Sequence, residues 1–278
     1  MKKFLQRRVT NNTLLLLIIA ILLIVSLFPY LWTISNSLKP KEEIAQGTLL
    51  PHNFTLSSYR VFLAWEGVFE SLRNSVIVAS LTTFITICLA FFAAYGIARF
   101  NIPGRKTIFG TIMGTQFIPL SSLVVPFYFL VYKLRLLDTW WSLIIVYLVY
   151  CLPFAMWLLI GYIQQIPKEL DESAMVDGCS RIASIFKIII PIAKPGIFTT
   201  AVLIFIKAWQ EYLAAAMLTT SFRAETLPVV LVALQGEIGF QRGVQMAGAI
   251  LFDLPVLIAF LYLHKHFMSG MVEGALKD

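Results

Sequence analysis

The chain has 278 residues, 59% hydrophobic and 13% charged, with a mean hydropathy of +0.81 and a net charge of +7. Soluble domains carry about 25% charged residues, so this composition excludes an ordinary soluble protein and requires a membrane protein. The positive charge is the Lys and Arg excess that orients membrane proteins, since no basic-aromatic groove or motif points to nucleic acid.

The expected fold is all-α, one polytopic transmembrane domain over residues 1–278. A span needs about 20 apolar residues. Six runs meet this at about 14–35, 74–98, 107–132, 141–163, 196–220 and 244–264, the last two interrupted by Lys207, Glu211 and Asp253. The basic start "MKKFLQRR" and the long first run resemble a signal sequence, but the run is too long and lacks a small-residue cleavage site. It reads as an uncleaved anchor. Between the first two runs, about 35–73, lies a polar segment expected to form one or two short helices. Prolines 119, 126 and 153 are candidates to kink spans three and four.

Six spans put both termini on one side. That side collects thirteen Lys and Arg: Lys2, Lys3, Arg7, Arg8, Arg99, Arg105, Lys106, Lys168, Arg181, Lys187, Lys194, Lys265 and Lys277. The other side has eight: Lys39, Lys41, Arg60, Arg73, Lys133, Arg135, Arg223 and Arg242. The excess predicts cytoplasmic termini and a cytoplasmic loop at about 164–191.

That loop, "ELDESAMVDGCSRIASIFKIIIP" at its core, is rich in charge for so apolar a chain. Pro167 favours a helix start, and Glu169, Asp171 and Glu172 suit the positive end of the helix dipole. Leu170 and Ala174 share one face, and Gly178 suits a left-handed stop. A second helical piece at about 181–190 would lead to Pro191, with Pro195 beyond it. A helix, a tight break and another helix can dock a soluble partner, or form a plain solvated loop.

The same residues resemble the signature of binding-protein-dependent ABC importer permeases: Glu-Ala-Ala, three residues, Gly, nine residues, Ile, one residue, Leu-Pro. Here it stands as Glu172-Ser173-Ala174, Gly178, Ile188 and Ile190-Pro191. Ser173 and Ile190 are conservative departures. The segments "FPYLWTISNSLKP", "AAYGIARFNIPGR", "LLDTWWSLIIVY", "FIKAWQEYL" and the tail "FMSGMVEGALKD" are similar to sugar-importer permeases of the maltose type, in particular the second permease of such systems.

The resemblance implies a permease of an ATP-driven sugar importer in a bacterial cytoplasmic (inner) membrane. Leu170, Glu172, Ser173, Ala174, Asp177, Gly178, Ile188 and Pro191 would form the ATPase-coupling loop, with Glu172 pairing with a basic group of the ATPase. The implied partners are a second permease in a heterodimer, two ATPase subunits, an extracytoplasmic sugar-binding protein and membrane lipid, with no nucleic acid. ATP and Mg would be bound by the ATPases. The chain has no phosphate loop of its own, and no cofactor, metal site or catalytic residue is expected.

Charges within a bilayer mark function or pairing. Lys207 and Glu211 are four apart, so on a continuous helix they share a face. With Trp209 and Gln210 they offer an aromatic plate, an amide and a carboxylate, the groups that recognise sugar hydroxyls. A structural ion pair, with Trp209 packed on a second permease, is the other reading. Asp253, before Leu254-Pro255, would cap a kinked turn or face the pathway. The alternative function is a secondary transporter of a small polar solute. It would need ion-coupling residues and usually an inverted repeat; six spans with no evident repeat argue against it, and it leaves the charged loop unexplained.

Overall fold

In the computed structural model, backbone is described for residues 2–237 and 241–275, and side chains for 15–234 and 241–261. The tail segment "FMSGMVEGALKD" and Lys265 have no described side chains. The chain divides into two compact units, Met1–Glu66 with Leu231–Asp253, and Gly67–Val230 with Leu254–Asp278. Among the described residues there is no strand. Among those residues five helices are long and apolar enough to span a membrane, or six if a bent pair counts as one span.

In the first unit, α1 (Lys2–Ser37) is followed by the short helices α2 (Lys41–Ile44) and α3 (Ser57–Leu63). The apolar side chains from Leu15 to Leu31 are exposed on α1, as suits a surface that meets lipid or another chain rather than water. The segment after α1 is held by buried polar groups. Lys39 Nζ donates to Asn36 Oδ1 at 3.1 Å and to the Thr48 carbonyl, and lies 5.5 Å from the Trp32 ring centroid. The Glu43 carboxylate accepts the backbone N–H groups of His52 (2.6 Å) and Asn53 (3.1 Å). The first of these is the main reason its pKa is lowered.

The second unit is built on α4 (Val68–Arg99), α7 (Trp140–Gln165) and α10 (Ile190–Trp209), which pack mutually around Ala90, Ala94, Cys151, Ala155, Leu159, Ile189, Ala193 and Ile204. Small residues let helix backbones approach where the hydrophobic effect does not drive association. Gly196 on α10 is one such case. A Cβ there would lie 2.4 Å from Tyr162 Cγ of α7. Gly196→Val is expected to cost about 1–3 kcal/mol by overpacking. Thermal unfolding of the detergent-purified protein checks this, and Gly161→Val, where the added group meets open space, is the control.

The third apolar run is not one straight helix. It forms α5 (Arg105–Gly114), a 3₁₀ turn (Thr115–Phe117) and α6 (Leu120–Lys133), bent by 97°. The cause is Pro119. A residue before proline is driven out of the α region, and Ile118 is extended at φ −83°, ψ 116°. Pro126 and Pro153 lie inside unbroken α6 and α7, and Pro255 lies inside α13 (Arg242–Ala275). Of the prolines expected to bend spans three and four, only Pro119 breaks a helix.

The fifth span also differs from its apolar run. It begins at α9 (Arg181–Ser184), passes through a π-helical turn (Ile185–Ile189), and continues as α10 to Trp209. Pro191 does not interrupt it. Proline removes one N–H and crowds the carbonyl four residues back, and the wider π turn just before it relieves that crowding. After a break, α11 (Leu213–Leu218) packs on α6 and α7, and α12 spans Leu227–Glu237.

At the end of this unit where α4 begins, two side chains tie the loops. Asn74 is fully buried. Its Nδ2 donates to the carbonyls of Phe222 (3.0 Å) and Glu225 (2.9 Å), and its Oδ1 accepts from Trp140 Nε1 (3.1 Å). Asp138 accepts from the backbone N–H groups of Thr220 (2.9 Å) and Ser221 (3.1 Å) and from Ser221 Oγ (2.5 Å). Burial pushes the Asp138 pKa up, but these hydrogen bonds and Arg223 outweigh it and leave it below 3.8. A lowered folded pKa gives stabilisation that is present above the unfolded value and lost as pH falls through the folded one. Protection of the Thr220 and Ser221 amides against hydrogen exchange, corrected for the intrinsic pH dependence of exchange, should therefore fall below about pH 4, and Asp138→Asn should remove that dependence.

Candidate functional site

The charged loop folds at the opposite end of the second unit, where α4 and α7 end and α9 begins. Ile166 is extended (φ −79°, ψ 123°) before Pro167, and Lys168 precedes α8 (Glu169–Val176). Pro167 thus lies just outside the helix rather than at its first position. Glu169, Asp171 and Glu172 fall in the first turn. Gly178 has φ +83°, its N–H reaches the Met175 carbonyl at 3.1 Å, and the Cys179 N–H reaches Ala174 at 2.9 Å. This is the paired hydrogen-bond stop that favours glycine after a helix. Ser180 then caps α9 by accepting from the Ala183 N–H at 3.2 Å.

The expected loop residues divide between two faces. Ala174 is buried, and Leu170 and Ile188 pack against the core. These three support the loop from inside instead of offering a surface. Glu172, Ser173, Asp177, Gly178 and Pro191 are exposed. Beside them Val176 is 87% exposed and Ile182 70% exposed. The outward face therefore carries two apolar side chains among carboxylates, on either side of a rigid turn.

Asp171 had only a helix-dipole role in the sequence. Folding buries it. Its Oδ2 lies 2.7 Å from Arg99 Nε at the end of α4, and its Oδ1 accepts from Tyr95 Oη (3.0 Å) and Ser184 Oγ (3.5 Å). Arg181 lies over the Phe100 ring at 4.9 Å. The one available signal was a second acidic residue beside Glu172, which gives no hint of a partner so distant in the chain.

The second group of expected residues does not form the expected pair. α10 ends at Trp209, so Lys207 and Glu211 do not share a continuous helical face. The Glu211 carboxylate accepts the N–H groups of Ala214 (2.9 Å) and Ala215 (3.2 Å), capping α11. Lys207 Nζ instead lies 4.2 Å from the Tyr150 ring centroid and 4.7 Å from that of Phe154. Trp209 is buried and stacks on Phe205, so it is no exposed plate. Lys207, Gln210 and Glu211 do share a cleft of about 420 Å³ with Tyr150, Tyr212, Leu120 and Leu213. The aromatic component there is tyrosine. Asp253 is exposed and belongs to the other compact unit.

All three cysteines are free, and no cluster of metal-ligating side chains occurs among the described residues.

Among the described residues the chain is helical, with a braced, charged helix–turn–helix between two helices long and apolar enough to span a membrane. The family model for the binding-protein-dependent transport system inner membrane component matches residues 86–271, and the chain belongs to that family. It is 36% identical over 259 residues to the sulfoquinovosyl glycerol transport system permease protein SmoH of Agrobacterium fabrum, covering 92% of this chain and 91% of that one. It is 37% identical over 260 residues to the trehalose/maltose transport system permease protein MalG of Thermococcus litoralis, covering 92% and 94%. A crystal structure of a bacterial ABC transporter involved in import of the acidic polysaccharide alginate shares the fold, with a TM-score of 0.82 at 22% identity over 93% of this chain and 96% of that one. The chain is thus a membrane-spanning ABC permease subunit, and ATP hydrolysis belongs to separate subunits.

Proposed function

We propose that this permease imports a sugar or sugar derivative, and that the loop of α8, Gly178 and α9 docks on the ATPase. The observation that carries the docking is the outward face itself. Val176 and Ile182 stand almost free beside Glu172, on a turn locked by Gly178. Exposed apolar groups framed by charge are the mark of an interaction surface. Glu172 would meet a basic side chain of the ATPase, and the two apolar groups would fill a shallow groove.

In this reading both termini and the α8 loop are cytoplasmic, in keeping with the Lys and Arg excess on that side. The apolar face of α1 meets lipid and a second, different permease, and an extracytoplasmic binding protein delivers the sugar. ATP and Mg are held by two ATPase subunits. The cleft of Lys207, Gln210, Glu211, Tyr150 and Tyr212 lines part of the sugar's path, since it combines amide, charge and phenol groups. The named substrates of SmoH and MalG support a sugar.

Purification of the tagged chain from its native membrane tests the assembly. Two ATPase copies and one second permease are expected to copurify. Recovery of the chain alone, with no ATPase, contradicts the reading.

A further inference from the structure

We propose that Arg99 is a positioning residue, which locks the docking helix α8 to α4 through Asp171 so that force applied at α8 moves the spans. The proposal rests on the docking role given above to this loop.

The geometry is that of a pin. One carboxylate joins three elements: α8 through its own backbone, α4 through Arg99 (2.7 Å) and Tyr95 (3.0 Å), and α9 through Ser184 (3.5 Å). Both charged side chains are buried, at 4% and 7% exposure. Without the pin, α8 would be held by short chain connections to α7 and α9 and by the contacts of Leu170 and Ala174. Those apolar contacts are non-directional and permit sliding. A buried ion pair with two further hydroxyl donors resists both sliding and rotation, because any displacement leaves a charge without its partner. Arg99 also sits in the last turn of α4, where the helix dipole favours a cation. The arrangement therefore connects the docking surface to a helix that crosses the membrane from its far side. Arg99 Nε and Nη2 and Asp171 Oδ2 are buried and make no hydrogen bond of good geometry among the described residues, so the pair is held by charge at 2.7 Å, and the directional bonds to Asp171 come from Tyr95 and Ser184.

The consequence is specific. Loss of the pin should uncouple hydrolysis from transport rather than prevent docking, since Glu172, Val176 and Ile182 lie on the other face of the loop. The test uses the complete transporter in liposomes with its ATPases and binding protein. For Arg99→Gln we expect the ATPases still to copurify and basal ATP hydrolysis to stay at the wild-type rate. Sugar imported per ATP hydrolysed should fall roughly tenfold, a typical coupling factor. Tyr95→Phe deletes one hydroxyl and keeps the ring, and should lower the same ratio about two- to fivefold. Arg99→Asp with Asp171→Arg should recover part of the loss. A merely structural role would change yield or melting temperature and leave the ratio alone.

Wild-type import per ATP in both single variants overturns the proposal. If Arg99→Gln does not accumulate, Tyr95→Phe decides: a lowered ratio supports the pin, and an unchanged ratio overturns it. Failure of the wild-type complex to couple hydrolysis to import at all would overturn the importer reading itself, and the proposal with it.

Discussion

Glu172→Arg is expected to abolish stimulation of ATP hydrolysis by sugar-loaded binding protein while leaving the permease folded. Glu172 is exposed, so reversing its charge disturbs no internal contact. At a docked interface the same change sets two cations against each other. Removing one partner of a desolvated charge pair costs about 2–5 kcal/mol. That is enough to lower ATPase occupancy by more than roughly tenfold. Val176→Asp should act the same way, because it places a charge where an exposed apolar side chain is expected to enter a groove. Ser173→Ala is the matched mild change: its hydroxyl only returns to the Leu170 carbonyl at 3.3 Å within α8. Copurified ATPase and stimulated hydrolysis, measured together on the three variants, distinguish lost docking from lost fold.

The second large effect is on stability. Asn74→Leu is expected to destabilise the protein by about 3 kcal/mol. One amide satisfies two loop carbonyls and the Trp140 indole, and so joins α4, α7 and the loop around 222–225. Leucine keeps the branched outline of the side chain but leaves two partly buried carbonyls and the partly buried Trp140 N–H without their partner. The neighbouring Ser75 Oγ, which accepts the Leu227 N–H at 2.8 Å, supports the same junction. Unfolding in detergent should show the loss. Exchange should rise first at residues 222–227 and only later at the centre of α7.

The sequence made local features legible and long-range ones invisible. The left-handed stop at Gly178 was readable because few residues other than glycine accept that conformation. The acidic first turn of α8 was readable for the same local reason. The Asp171–Arg99 pair was not, because the two lie on different helices and nothing in either segment names the other. Lys207 and Glu211 misled through a sound rule applied to a wrong premise. Pairing at four residues requires a continuous helix, and α10 ends between them because Glu211 caps the next one. Hydropathy likewise ran on through Thr220, since the short α11 is as apolar as the span before it. The bend at Pro119 and the unbroken course through Pro126, Pro153 and Pro255 show why a proline alone does not predict a break. Inside a packed helical membrane protein, neighbouring groups can support an interrupted turn.

The most direct test of the account is ATP hydrolysis by the wild-type complex in liposomes, with its binding protein added empty or sugar-loaded. Only the sugar-loaded form is expected to accelerate hydrolysis strongly, and the Glu172→Arg complex is expected not to respond. Equal rates with and without sugar, or a Glu172→Arg complex that responds as the wild type does, would contradict the claim that this permease couples sugar import to ATP through α8.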